Sequence, residues 1–145
     1  MAESFDPDRF IAAQAPLIDQ VHCELRRGKK TNHWMWFVFP QLAALGTSAM
    51  AKRYGLASVA QARAYLNHPV LGPRLIECCS LLLQVPIDDI GDILGYPDDL
   101  KLRSCLSLFM AAAPQEAVFQ QCLDKFYGGV PDPRTVLLCQ TVGGS

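Results

Sequence analysis

Proline and glycine punctuate this chain, and between those stops the apolar residues recur three to four apart; that combination constrains the fold more than any other feature. Alternation of period two, bounded by turn residues, appears nowhere over a useful length, so strands are not predicted. The expected class is all-α: one domain spanning 1–145, a bundle of about six to eight short helices with little or no sheet.

The punctuation also predicts where the helices lie. Asp6 followed by Pro7 is a helix start, the carboxylate accepting orphan amide protons and proline occupying the first helical position. The stripe Phe10, Leu17, Ile18, Val21 and Leu25 runs on to Gly28, with Arg26 and Arg27 at the negative end of the dipole. Pro16 inside it predicts a kink near Ala12 or two abutting helices. Ser58 caps the next helix, which Asn67-His68-Pro69 ends, and Gly72-Pro73 begins another that Pro86 closes. A shorter helix over Ile87–Leu94 stops at Gly95-Tyr96-Pro97. Asp98 is expected to cap the strongest helix, with Leu102, Cys105, Leu106, Phe109, Met110 and Ala113 on one face and Lys101, Arg103 and Ser104 elsewhere. Pro114 begins a helix whose Val118, Phe119, Cys122, Leu123 and Phe126 face inward and which Gly128-Gly129 ends. Pro131-Asp132-Pro133 opens a last short one, and 141–145 should form a loose tail.

Composition narrows the function classes. Half of the 145 residues are hydrophobic and 19% are charged, which predicts a folded core and not a disordered chain. Thirteen basic against fourteen acidic residues leave a charge of -1, so neither nucleic acid nor an anionic membrane is an expected partner. The first ten residues carry acids where a secretory signal would be positive, and apolar runs such as Trp34–Pro40 fall far short of the roughly 20 residues that span a bilayer. A cytoplasmic location is therefore expected. The six cysteines lack C-x-x-C spacing and lie mostly among apolar residues, which predicts buried free thiols, with Cys78-Cys79 raised in pKa. His22, His33 and His68 show no metal-ligand spacing; neither metal nor cofactor is predicted. No nucleophile elbow, Walker loop or dinucleotide-binding glycine motif is present.

One segment departs from ordinary helix composition. Residues 30–41 hold four of the thirteen aromatic residues and both tryptophans. Trp34, Trp36 and Val38 alternate with Met35, Phe37 and Phe39, but all are apolar, so strand, buried helix and extended core segment all fit; Pro40 biases Phe39 toward extended backbone. The segment is either central core, its large rings tying helices together, or a site, because Lys30, Thr31, Asn32 and His33 precede the rings and Gln41 follows them. Flat rings with a few placed donors hold planar ligands such as nucleobases. His33, which titrates near neutrality, is the candidate acid-base residue. Gln14 falls on the first apolar stripe, where its amide needs either a backbone group freed near Pro16 or a ligand. Asp98 with Lys101, and Asp99 with Arg103, have the spacing of helix ion pairs; alternatively Asp98, Lys101 and Ser104 line a polar pocket. Arg26, Arg27, Lys29 and Lys30 form a basic cluster that meets phosphate or is a solvated helix end.

The run His33-Trp34-Met35-Trp36-Phe37-Val38-Phe39-Pro40-Gln41, with Leu45-Gly46 behind it, closely resembles the signature of a bacterial family catalogued as domain of unknown function eighteen-ten. Phe10 to Gln14, Tyr65 to Gly72, Gly95 to Ser104 and Gly128 to Asp132 resemble it in the same order. The resemblance covers nearly the whole chain and implies a compact helical domain, with no activity attached. A calpain-inhibitor label borne by some members does not fit, since such inhibitors are polar and disordered whereas this chain has a mean hydropathy of +0.14. Two readings follow. The first is a small-molecule-binding domain or enzyme for a nucleotide-like metabolite, with candidate residues Gln14, Lys30, His33, Trp34, Trp36, Gln41, Asp98, Lys101 and Ser104. The second is a protein-interaction or structural module in which the aromatic segment is pure core and an exposed apolar patch meets a protein partner.

Overall fold

The computed structural model describes residues 5–141, which form ten α-helices and one 3-10 turn. The helices are α1 (Pro7–Gln14), α2 (Ile18–Arg27), α3 (Met35–Val38), α4 (Ala49–Arg53), α5 (Val59–Asn67), α6 (Leu71–Gln84), α7 (Ile90–Leu94), α8 (Asp98–Ala112), α9 (Ala117–Tyr127) and α10 (Pro133–Thr141). The 3-10 turn is Ala43–Leu45, and among the described residues the only β-pairing is a bridge between Leu42 and Leu56. Of the expected tail, Thr141 ends α10 and 142–145 lie outside the described residues.

Side-chain caps set several of the helix starts. Asp6 accepts from the amide of Asp8, Ser58 from Gln61 and Asp89 from Gly91. Pro16 breaks the first stripe into two helices, the second of the two outcomes it allowed. Gly28, at φ 76°, ends α2 in the left-handed region that its lack of a Cβ permits. The helix α4, capped by Ser48, was not foreseen: five residues are too few to show a stripe. α9 begins at Ala117 and not at Pro114, because Glu116 closes a turn onto the carbonyl of Ala113. Asp98 does not cap α8; it occupies the first helical position behind Pro97 and turns to two lysines instead. His68 belongs to the start of α6 as much as to the end of α5, since its Nδ1 accepts from the amides of Val70 and Leu71.

At the centre lies α8, which packs against α5, α7, α9 and α10. The one-faced reading of this helix is corrected: Ser104, Ser107 and Leu108 are buried along with Leu102, Cys105, Leu106, Phe109 and Ala112. The two serines tolerate burial by returning their hydroxyls to the carbonyls of Leu100 and Arg103 one turn back. An aromatic chain crosses the core from Tyr54 through Phe10, Tyr65 and Phe109 to Phe119, with centroids 5.3 to 5.7 Å apart. Phe126 is only partly buried. At the far end of α6, Lys125 donates to the carbonyls of Leu82, Leu83 and Val85, so a cation caps a helix that has no C-terminal glycine. Five of the six cysteines are buried free thiols, and Cys23 is exposed. Burial pushes the Cys78 thiol up to about 12.

Candidate functional site

The aromatic segment folds as it does because a buried acid organises its entry. Glu24, on the inner face of α2, accepts from the amides of Thr31 (2.8 Å) and Asn32 (3.2 Å), from the Asn32 side chain (2.6 Å) and from the Trp34 indole (3.0 Å). Burial raises its pKa, but these four hydrogen bonds, led by the Asn32 side chain, outweigh that and hold it at about 2. Thr31 and Asn32 thus serve the scaffold. Trp34 is 0% exposed and has no face to offer a ligand. Met35–Val38 makes one helical turn, and Phe39 ahead of Pro40 leaves the helical region at φ −124° and ψ 71°, short of the extended backbone that Pro40 predicts for it.

Trp36, two residues on, is only half-buried. Its ring lines a small pit with Met35, Phe39, Gln41, Ala51, Tyr54 and Lys101, and the ammonium of Lys101 lies 5.8 Å from its centroid. Gln41 and Lys101 also line an adjoining cleft of about 270 Å³, whose further walls include Leu100, Arg103, Ser104, Asp132 and Arg134. The backbone of Gln41 is fixed by the bridge, its carbonyl accepting from Leu56 at 2.9 Å while Ala43 donates to the Leu56 carbonyl at 2.8 Å. Its side-chain amide has no partner among the described residues.

Charge on the cleft is layered. Asp98 pairs with Lys30 at 2.9 Å and with Lys101 at 3.7 Å, tying the aromatic segment to the start of α8. Asp99 and Arg103 do not form the pair their spacing allows. Asp99 accepts from the amide of Leu100, while Arg103 donates to the carbonyl of Val130 (3.0 Å) and lies over Tyr127, at 5.9 Å from its centroid. Tyr127 in turn donates to the Asp99 carbonyl, and burial raises its pKa. Asp132 is held from two helices. One of its carboxylate oxygens accepts from Thr135 (amide 3.0 Å, hydroxyl 2.6 Å) and lies 3.4 Å from the Ser104 hydroxyl, whose single proton is shared between this oxygen and the Leu100 carbonyl, and its own amide donates to Ser107 (2.8 Å).

Of the residues singled out from sequence, Gln41, Lys101 and Ser104 line this cleft, Trp36 lines the pit that adjoins it through Gln41 and Lys101, and Lys30 and Asp98 lie behind them. The structure places the others elsewhere. His33 is exposed and lines neither the pit nor the cleft. Gln14 is buried in the core, where its amide donates to the Phe37 carbonyl (2.6 Å) and the Tyr65 hydroxyl (3.0 Å) and accepts from Arg74 (3.3 Å). Its backbone partner is therefore in the aromatic segment and not near Pro16. Arg26, Arg27 and Lys29 are exposed, the solvated helix end. Sequence reasoning missed Glu24, Arg103, Asp132 and Arg134 as site or support residues. Glu24 carried a readable signal, a charge on the stripe between Val21 and Leu25, whereas the others sat in ordinary helical and turn patterns. Among the described residues, no group of three or more His, Cys, Asp or Glu side chains could hold a metal ion.

Comparison with known proteins agrees with the fold. No curated protein matches the chain. It is similar to the crystal structure of the conserved hypothetical protein Rv1873 from Mycobacterium tuberculosis, with 51% identity and a TM-score of 0.93 over 95% of this chain and 99% of that one. The match to the family described as Protein of unknown function (DUF1810) runs over residues 4–139, and the chain belongs to that family.

Proposed function

We propose that the protein binds a small anionic metabolite with a flat ring, nucleotide-like in character, in the cleft between the aromatic segment, the first half of α8 and the start of α10. The observation that carries this is the position of Trp36. Its half-buried ring lines a pit with Gln41, whose amide has no partner among the described residues, and the pit adjoins the cleft walled by Lys101, Arg103 and Arg134. An aromatic face gives a planar group a surface to stack on, an amide reads its edge, and clustered cations take a phosphate or carboxylate. The protein-interaction alternative draws on the same region, because Tyr96 (82% exposed), Leu100 and Val130 leave apolar surface beside the cleft.

Thermal shift and tryptophan emission against nucleotides, dinucleotides, sugar phosphates and nucleobases test the proposal. A ligand at 100 times its dissociation constant adds about 2.7 kcal/mol of stability. Binding in the cleft quenches Trp36, so the quench vanishes in Trp36→Phe, where the enclosed Trp34 alone emits. Gln41→Ala and Lys101→Ala weaken the shift, and His33→Ala leaves it unchanged. Silence across the panel, or a shift indifferent to all three cleft variants, overturns the reading.

A further inference from the structure

We infer that the ligand of this cleft is a ribonucleoside monophosphate, its ribose hydroxyls donating to Asp132 and its phosphate held by Arg134 and Arg103. The inference rests on the cleft reading above and specifies its ligand class. It starts from the two oxygens of Asp132. Oδ2 takes all the hydrogen bonds to the carboxylate, from Thr135 and Ser104, while Oδ1 has no donor among the described residues, although Asp132 lines the cleft. With its amide also anchored on Ser107, the group is fixed from both α8 and α10 before any ligand arrives. A carboxylate oxygen only accepts, so its complement is a donor, and adjacent sugar hydroxyls supply two.

The same walls demand an anion. Arg134 makes no ion pair or hydrogen bond among the described residues. Arg103 engages the Val130 carbonyl through Nε, which leaves its terminal nitrogens for a phosphate fork. An acidic peptide would satisfy the arginines but would bring a second carboxylate against Asp132. A phosphate ester with free hydroxyls satisfies both at once. Size favours the smaller ligand: at about 270 Å³ the open cleft lies just below the usual range of small-molecule sites and matches a mononucleotide better than a dinucleotide.

Calorimetric titration of the four ribonucleoside 5′-monophosphates, each beside its 2′-deoxy counterpart, tests this on the full chain. The wild-type protein should prefer the ribose forms by roughly tenfold or more, the usual effect of a hydrogen bond to a charged group. Asp132→Asn is the diagnostic variant, because asparagine caps helices as well as aspartate does, so the start of α10 survives. Its carbonyl replaces Oδ2 and its amide replaces Oδ1, an acceptor, with a donor. The preference should then fall to about one, whereas Arg134→Ala should weaken ribose and deoxyribose forms by the same factor. Equal affinity for both sugars in the wild type, or a preference that Asp132→Asn leaves intact, overturns the inference while the cleft reading stands. If none of these monophosphates binds, this inference fails; if the wider panel is also silent, so does the reading beneath it.

Discussion

Trp34 and Trp36 stand two residues apart, each with a lysine ammonium over its ring, and both lysines reach the same carboxylate, that of Asp98. Beyond that the two arrangements diverge. Lys30, with its side chain 9% exposed, holds Asp98 at 2.9 Å over an indole whose N–H is bonded to Glu24. Lys101, 28% exposed, stands 3.7 Å from Asp98 over an indole whose N–H has no partner among the described residues. At roughly 100° per residue, one helical turn directs neighbours two apart to opposite sides, so one ring enters the core and the other stays at a surface. The same motif is closed in one copy and open in the other, and the closing group is a buried acid contributed by another helix.

The largest expected effect comes from reversing these roles by truncation. Trp34→Ala removes a fully enclosed ring and strips Glu24 of a donor, and should cost about 3–5 kcal/mol. Trp36→Ala should cost much less stability and abolish ligand-dependent quenching. Chemical denaturation of the two variants side by side measures the contrast, and equal losses would break it.

Next in size is the acid itself. Glu24→Gln swaps one accepting oxygen for an amide that confronts the donors around it, at about 2–3 kcal/mol. Because the folded pKa is held at about 2, below the ordinary 4.5, the carboxylate's contribution is full above about pH 4.5 and is lost as the pH falls toward 2. Urea midpoints across that window should drop for the wild type and stay flatter for Glu24→Gln. Parallel pH profiles would remove Glu24 as the organiser.

How much of this contrast was legible follows from its range in sequence. Caps and proline breaks act within a turn, and Asp6, Ser58 and Pro16 could be read directly. Glu24 was open to the argument that flagged Gln14, a polar residue on an apolar stripe, but its partners lie seven to ten residues on, past a helix end. Asp132 could be read as a helix opener. Its second role depends on Ser104, 28 residues earlier, arriving on α8 from across the fold. Lys101 and Arg103 showed only helical ion-pair spacing, and packing overrode it by drawing Arg103 to Val130 and Tyr127. Local chemistry therefore gave elements and candidate residues, while the cleft required the meeting of segments far apart in the chain.

A smaller perturbation asks whether the open copy depends on backbone placement. Gly55 approaches the bridge so closely that a Cβ there would lie 2.4 Å from the Ala43 Cα. Gly55→Ala must push apart the strip that fixes the Gln41 carbonyl on Leu56. A stability loss of about 1–3 kcal/mol is expected, together with weaker binding at a cleft that Gly55 does not line. Unchanged affinity despite the lost stability would show that Gln41 is not positioned by this bridge.

The smallest stability effect should come from Lys101, and it sharpens the comparison most. Lys101→Met keeps the length of the side chain over Trp36 while deleting the charge. The ion pair it removes is long and partly solvated, and Asp98 retains Lys30, so stability should change by no more than about 0.5 kcal/mol. Binding should respond differently: an anion in the cleft loses one of three cations and should dissociate more readily, with an effect that shrinks as salt is raised. Lys30→Met is the matched control. It leaves Asp98 without its closer partner beside the enclosed tryptophan, and should lower stability more and affinity less. Opposite rankings of the two variants in denaturation and in binding are the signature of one closed and one open site. If the rankings coincide, the two lysines do the same job and the distinction between the tryptophans loses its electrostatic half.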